Sequence, residues 1–132
     1  NRRSRGLGDV YKRQILVVDD EAGLESVFTN LFAPAQVRCV RSVAEAKQAW
    51  SEDLTWVLSD IVMPKATGLD LRRWVEEEHP DMLNQFLLMT GNAVDLSQEV
   101  DLLPDTQVVL KKPLNRETLL AQLALCQHTA GV

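Results

Sequence analysis

From Ile15 onward the sequence predicts an α/β domain on a five-stranded, doubly wound parallel sheet, and three observations carry that prediction. Apolar runs alternate with helix-like stretches five times, the pattern that lays helices over both faces of a parallel sheet. The runs are continuous, as in Ile15-Leu16-Val17-Val18 and Phe86-Leu87-Leu88-Met89, so each strand is buried on both faces instead of alternating between core and water. The groups able to do chemistry, Asp19-Asp20, Asp60, Thr90 and Lys112, follow or end four different runs. In an open parallel sheet the carboxyl ends of the strands share one edge, so these groups converge there.

The first strand, Ile15 to Val18, leads into a helix whose apolar positions Leu24, Val27, Phe28, Leu31 and Phe32 recur at i, i+3, i+4, i+7 and i+8, the stripe of an amphipathic helix. Pro34 stops it, since its ring removes a donor and collides with the preceding turn. A short strand at Val37 to Val40 precedes a weaker helix from Ala44 to Trp50, with Ser42 as its N-cap. Strand three is Trp56 to Ser59. Helix three runs from Gly68 to His79, turns Leu71, Trp74 and Val75 inward, and is closed by Pro80. Phe86 to Met89 forms strand four. A short or irregular helix spans Leu96 to Leu103 and ends at Pro104; strand five is Val108 to Leu110, and the last helix, from Asn115, carries Leu119, Leu120, Leu123 and Cys126.

Composition narrows the function classes. With 132 residues, 45% hydrophobic and 25% charged, the chain suits one globular domain. A net charge of -5 argues against direct nucleic-acid binding, which needs a basic face for the phosphate backbone. No apolar run is long enough to span a bilayer, and no signal peptide is expected at the start of the chain. Cys39 and Cys126 read as buried thiols of a reducing cytoplasm, and with only His79 and His128 beside them a zinc site is not expected.

Each polar motif has a structural reading beside its chemical one. Asp19-Asp20 can cap the following helix, Ser59-Asp60 can open the turn before Pro64, and a threonine at a strand end is a common structural choice. Taken together, however, two carboxylates packed beside a third repel one another in a partly buried site, and a divalent cation relieves that cost. Magnesium suits such hard oxygen ligands and keeps waters that a phosphate can displace. A carboxylate beside such an ion can attack phosphorus. The spacings are 40 residues from Asp20 to Asp60, 30 from Asp60 to Thr90 and 22 from Thr90 to Lys112.

Asp19-Asp20, the segment Leu58-Ser59-Asp60-Ile61-Val62-Met63-Pro64-Lys65-Ala66-Thr67-Gly68, Met89-Thr90-Gly91 and Lys111-Lys112-Pro113, at these spacings, resemble the receiver domain of two-component response regulators over Ile15 to about His128. The resemblance implies a flavodoxin-like receiver fold and a phosphoryl group accepted from a phosphohistidine donor onto Asp60. It implies that Asp20, Asp60 and the carbonyl of Val62 ligate Mg²⁺ directly while Asp19 acts through water. Thr90 and Lys112 would then meet the phosphoryl oxygens, and the Lys112–Pro113 bond is a candidate for the cis isomer. Implied partners are a histidine kinase or a histidine phosphotransfer protein, with the output partner met on the surface of the fourth helix, fifth strand and fifth helix. Val109 stands where many receivers carry an aromatic, three residues before the lysine, so strand and loop displacement would carry the signal. Beside the acceptor, Val62 can obstruct an attacking water and Asn92 can orient one.

Two other classes compete. A Mg-dependent phosphohydrolase of the haloacid-dehalogenase type also combines aspartates, threonine and lysine, but it needs Asp-x-Asp after its first strand, where this chain has Asp19-Asp20 adjacent. A receiver-shaped interaction module working without phosphate would not need the intact set. Residues 1 to 14 read as a basic, aperiodic extension outside the fold, whose stretch from Ser4 to Gln14 resembles translated adapter read-through; a membrane- or nucleic-acid-touching tail is the alternative. The domain is expected over residues 15 to 128 with a tail at 129 to 132 and no output domain after it. The missing initiator methionine reads as a fragment, a processed product or a mis-called frame; the chain is expected to be a single-domain regulator or the C-terminal receiver of a hybrid histidine kinase.

Overall fold

A computed structural model describes residues 13–91 and 103–130, with side chains as far as residue 124. Five strands, β1 (Gln14–Val18), β2 (Gln36–Val40), β3 (Leu54–Asp60), β4 (Phe86–Thr90) and β5 (Val109–Lys111), form one sheet in the order β2-β1-β3-β4-β5, and every pair is parallel. The doubly wound architecture read from the apolar runs is the one observed. β1 begins at Gln14, one residue before the apolar run, where Gln14 aligns with Gln36 and Leu54.

Burial follows the parity of each strand. Ile15 and Val17 belong to one core with Trp56, Leu58, Leu87, Met89 and Leu110; Leu16 and Val18 belong to the other with Val57, Phe86 and Leu88. Helices α1 (Glu25–Phe32) and the C-terminal helix (Arg116–Ala130) cover the first face through Phe28, Phe32, Leu119 and Leu123. Helices α2 (Val43–Ala49) and α3 (Gly68–Glu78) cover the second through Val43, Ala46, Leu71 and Val75. Burying each Phe or Leu side chain in this way contributes roughly 1.5–3 kcal/mol.

The helix boundaries have local causes. Ser42 caps α2 by accepting the Glu45 N–H at 3.1 Å. Thr67 caps α3 through a reciprocal box: its hydroxyl accepts the Asp70 N–H at 3.2 Å while the Asp70 carboxylate accepts the Thr67 N–H at 2.8 Å. Asn115 accepts the Thr118 N–H at 2.8 Å at the start of the C-terminal helix.

Some expected core positions are corrected. Val27 is 50% exposed and Leu120 44% exposed, because each helix lays only a narrow arc on the sheet. Trp74 packs on the second core as expected but is only half-buried; it stands edge-on to Trp50 at 5.2 Å, and both rings meet His79. Cys39 is half-buried, not buried, on the edge strand β2, where loss of solvent first and then Glu25 and Asp19 push its thiol up to about 11. The helix expected over Leu96 to Leu103 lies outside the described residues except for Leu103, which packs on the second core. The Cys126 and His128 side chains also lie outside them.

A carboxamide anchors the approach to β5. Gln107 donates through Nε2 to the carbonyls of Phe86 at 3.0 Å and Val108 at 2.9 Å, and its Oε1 accepts from Arg72 Nε of α3 at 2.7 Å. Among the described residues no helix is long and apolar enough to cross a membrane.

Candidate phosphoacceptor and metal site

The carboxyl ends of β1, β3 and β5 bring the acidic pair, Asp60 and Lys112 together. Asp19 follows β1 directly, and its N–H donates to the Val40 carbonyl at 3.0 Å, prolonging the β1–β2 ladder by one step. Asp60 is the last residue of β3, aligned with Met89, and the Ile61 N–H donates to the Met89 carbonyl at 2.9 Å. The acceptor candidate therefore sits on the middle strand, held to its neighbour on both sides of the register.

Carboxylate oxygens of Asp19, Asp20 and Asp60 lie within 4.8 Å of one another. Asp19 is 4% and Asp60 8% exposed, so their repulsion is weakly screened. Lys112 supplies the counter-charge: its Nζ donates to Asp19 Oδ2 at 2.6 Å and to Asp60 Oδ2 at 3.3 Å. The other oxygen of Asp19 accepts the Glu21 N–H at 3.0 Å. Three hard carboxylates at this spacing suit a small divalent cation with octahedral oxygen preference.

The charges shift one another. Loss of solvent raises the Asp60 carboxyl above its usual range; attraction from Lys112 opposes this, and Asp19 and then Asp20 add to the rise. Burial alone would lower the Lys112 ammonium, but the hydrogen bond to Asp19 and the charges of Asp60 and Asp19 carry it above its ordinary value. An amine that stays protonated is a permanent positive charge beside the two carboxylates.

Thr90 ends β4, half-buried, next to the acceptor strand. Its carbonyl accepts the Lys112 N–H at 2.8 Å, so threonine and lysine move on one main-chain link. The Lys112–Pro113 bond is cis, as the resemblance implied. Val62, assigned a carbonyl ligand, lies two residues past Asp60 with its side chain 57% exposed. Asn92 lies outside the described residues.

One supporting residue was not recognised as such from the sequence. The Gly68 N–H donates to the Ile61 carbonyl at 2.9 Å, and a Cβ on Gly68 would stand 2.3 Å from the Asp60 carbonyl oxygen. The start of α3 therefore rests on the acceptor's own main chain, an approach only glycine permits. Its available signal was the glycine at the first position of α3, immediately after the capping Thr67.

Comparisons with known proteins show the family and the fold. The family model of the response regulator receiver domain matches residues 15–124. The 3',5'-cyclic-nucleotide phosphodiesterase regA of Dictyostelium discoideum is 30% identical over 115 residues, covering 82% of this chain; the chain spans 14% of that relative's length. The signal receiver domain of an HD domain-containing protein from Pseudomonas fluorescens Pf-5 superposes with a TM-score of 0.75 at 22% identity, covering 91% of this chain and 98% of that one. A CheY-like receiver from Methanospirillum hungatei JF-1 gives 0.73 at 22% identity, covering 91% and 97%. A receiver protein from Sinorhizobium medicae WSM419 gives 0.70 at 25% identity, covering 90% and 97%.

Proposed function

This chain belongs to the response regulator receiver domain family, phosphoacceptor modules of two-component signalling, and we propose that Asp60 is the residue that takes the phosphoryl group. The observation that carries the proposal is the pairing of a buried Asp60 with Lys112 inside a three-carboxylate cluster. An Asp60 oxygen attacks phosphorus in line with the departing nitrogen of a phosphohistidine. The P–N bond breaks with its electron pair returning to the imidazole, and an acyl phosphate forms. Lys112 then exchanges its bond to Asp60 for one to a phosphoryl oxygen, keeping Asp19 as its anchor. Thr90 supplies a hydroxyl to another of those oxygens.

Magnesium, when bound, supplies charge neutralisation at the transferring phosphoryl group. We assign it to Asp20, Asp60 and the Val62 carbonyl directly, and to Asp19 through water. The Asp19 carboxylate already accepts from Lys112 and from the Glu21 N–H, which supports the indirect role. The donor is a histidine kinase or a histidine phosphotransfer protein, which places the domain in the cytoplasm. The output partner meets the β5 and C-terminal helix side, towards which Thr90 and Lys112 lead.

The test is labelling by acetyl phosphate in Mg²⁺, read by intact-protein mass spectrometry. Wild type gains one phosphoryl mass and Asp60→Asn gains none, because an amide cannot form the acyl phosphate. A label that survives the substitution places the acceptor elsewhere.

A further inference from the structure

We propose that Arg41 is a positioning residue for the metal-binding loop: its guanidinium fixes the main chain of Asp20, and so aims that carboxylate. Arg41 follows β2 directly, at the strand edge where the site lies. Its Nε and Nη2 both donate to the Asp20 carbonyl at 3.2 Å. These bonds go to the main-chain oxygen, so they hold the residue without engaging its carboxylate. Arg41 is itself fixed, since its N–H donates to Glu45 Oε1 at 3.0 Å and Glu45 is tied to the α2 cap by the Ser42 Oγ bond at 3.1 Å. A chain of bonds thus runs from the first turn of α2 through Arg41 to the loop after β1.

The geometry requires arginine. Two donors on one rigid plane meet one oxygen, whereas a lysine offers a single flexible ammonium. Partners that orient a ligand from outside typically alter metal affinity about 10- to 100-fold. Arg41 is exposed, so solvent competition places its effect lower, at about three- to tenfold. A purely electrostatic role predicts the opposite sign, because a nearby cation repels Mg²⁺ and its removal would tighten binding.

The role rests on the assignment of Asp20 as a metal ligand, and the experiment separates the two. Mg²⁺ is titrated into wild type, Arg41→Ala and Arg41→Lys with chemical shifts as the readout, and amide exchange at Glu21 is followed without metal. Both variants are expected to bind Mg²⁺ about three- to tenfold more weakly, to exchange the Glu21 amide faster, and to unfold at the wild-type temperature. Affinity equal to or tighter than wild type in Arg41→Ala, or full rescue by lysine, overturns the positioning role. A wild-type protein that ignores Mg²⁺ overturns the metal assignment instead. The metal-free Glu21 amide then still decides Arg41, since unchanged exchange in Arg41→Ala removes the proposed restraint.

Discussion

Asp60 closes a seven-residue strand in which every position but Thr55 is buried, whereas Lys112 follows a three-residue edge strand in which only Leu110 is buried. The two form one ion pair, yet their supports differ in kind. The carboxylate is held by a middle strand, by the Ile61 bond to Met89 and by Gly68 resting on its carbonyl. The amine hangs on its main-chain bond to Thr90 and on a β5 that Gln107 pins at its start. A phosphoryl group on Asp60, as proposed, would stand on an unyielding support and face a partner strand with far less burial to give up.

The largest effect expected from breaking this pairing is at the amine. Lys112→Met leaves Asp19 and Asp60 without their shared cation, and removing one partner of a buried pair costs about 3 kcal/mol at neutral pH. The sign with pH is specific. Lys112 is raised in the fold, so its contribution is full below its ordinary value of 10.5 and is lost as pH rises through the folded value. Asp60 is also raised, so its neutral form favours the fold at acid pH and that contribution fades as it ionises. Urea unfolding of metal-free protein should show the variant's deficit widest near neutrality, closing on acidification as the carboxylates protonate, and the wild-type alkaline decline should vanish. A deficit independent of pH would mean lost packing, not lost charge.

On the acceptor side, Gly68→Ala drives a methyl group into the Asp60 main chain, with no flexible side chain to yield, and should cost about 2 kcal/mol. Its signature is joint: the midpoint falls and Mg²⁺ affinity falls with it, because the clash displaces Asp60 itself. A variant that loses stability but keeps its affinity would show that the start of α3 is not coupled to the acceptor. The smallest effect is at the cap, where Thr67→Ala should cost about 1 kcal/mol in the same unfolding assay. Its carboxylate partner Asp70 is lowered, chiefly by the Thr67 main-chain hydrogen bond. Alanine keeps that main-chain bond and removes only the Thr67 hydroxyl's bond to the carboxylate at 3.3 Å; this smaller share is present above the usual carboxylate range and lost as pH falls, so the difference between wild type and Thr67→Ala should narrow slightly in acid. A constant difference would detach Asp70 from the cap.

What the sequence disclosed, and what it withheld, follows the same division. Continuous runs such as Ile15 to Val18 marked the buried strands because both parities had to be apolar, and Asp60 was legible because its run broke beside it. Helix faces were less legible: Val27 fits the stripe of α1 but points outward, since an eight-residue helix on a sheet buries a narrower arc than five apolar positions describe. The Lys112 bonds to Asp19 and Asp60 span 93 and 52 residues, and no local pattern encodes such a pairing: the strand-end argument brought the groups to one edge and the resemblance directed Lys112 to phosphoryl oxygens, but neither named these bonds. The box between Thr67 and Asp70 was written plainly in Thr-x-x-Asp yet passed unread, overshadowed by the turn before it.

The aromatic group on α2 and α3 gives the molecule a built-in optical reference. A helix that returns from the carboxyl edge ends at the opposite edge, so Trp50 and His79, at the ends of α2 and α3, lie at the far side of the sheet with the Trp74 ring against both, and Trp56 precedes Asp60 by four extended residues, about 13 Å. All three indoles of the chain thus report from the edge opposite the chemistry. Intrinsic emission should register unfolding of the whole sheet while staying nearly silent to phosphorylation, so emission and acyl-phosphate chemistry can be followed in one cuvette as independent signals.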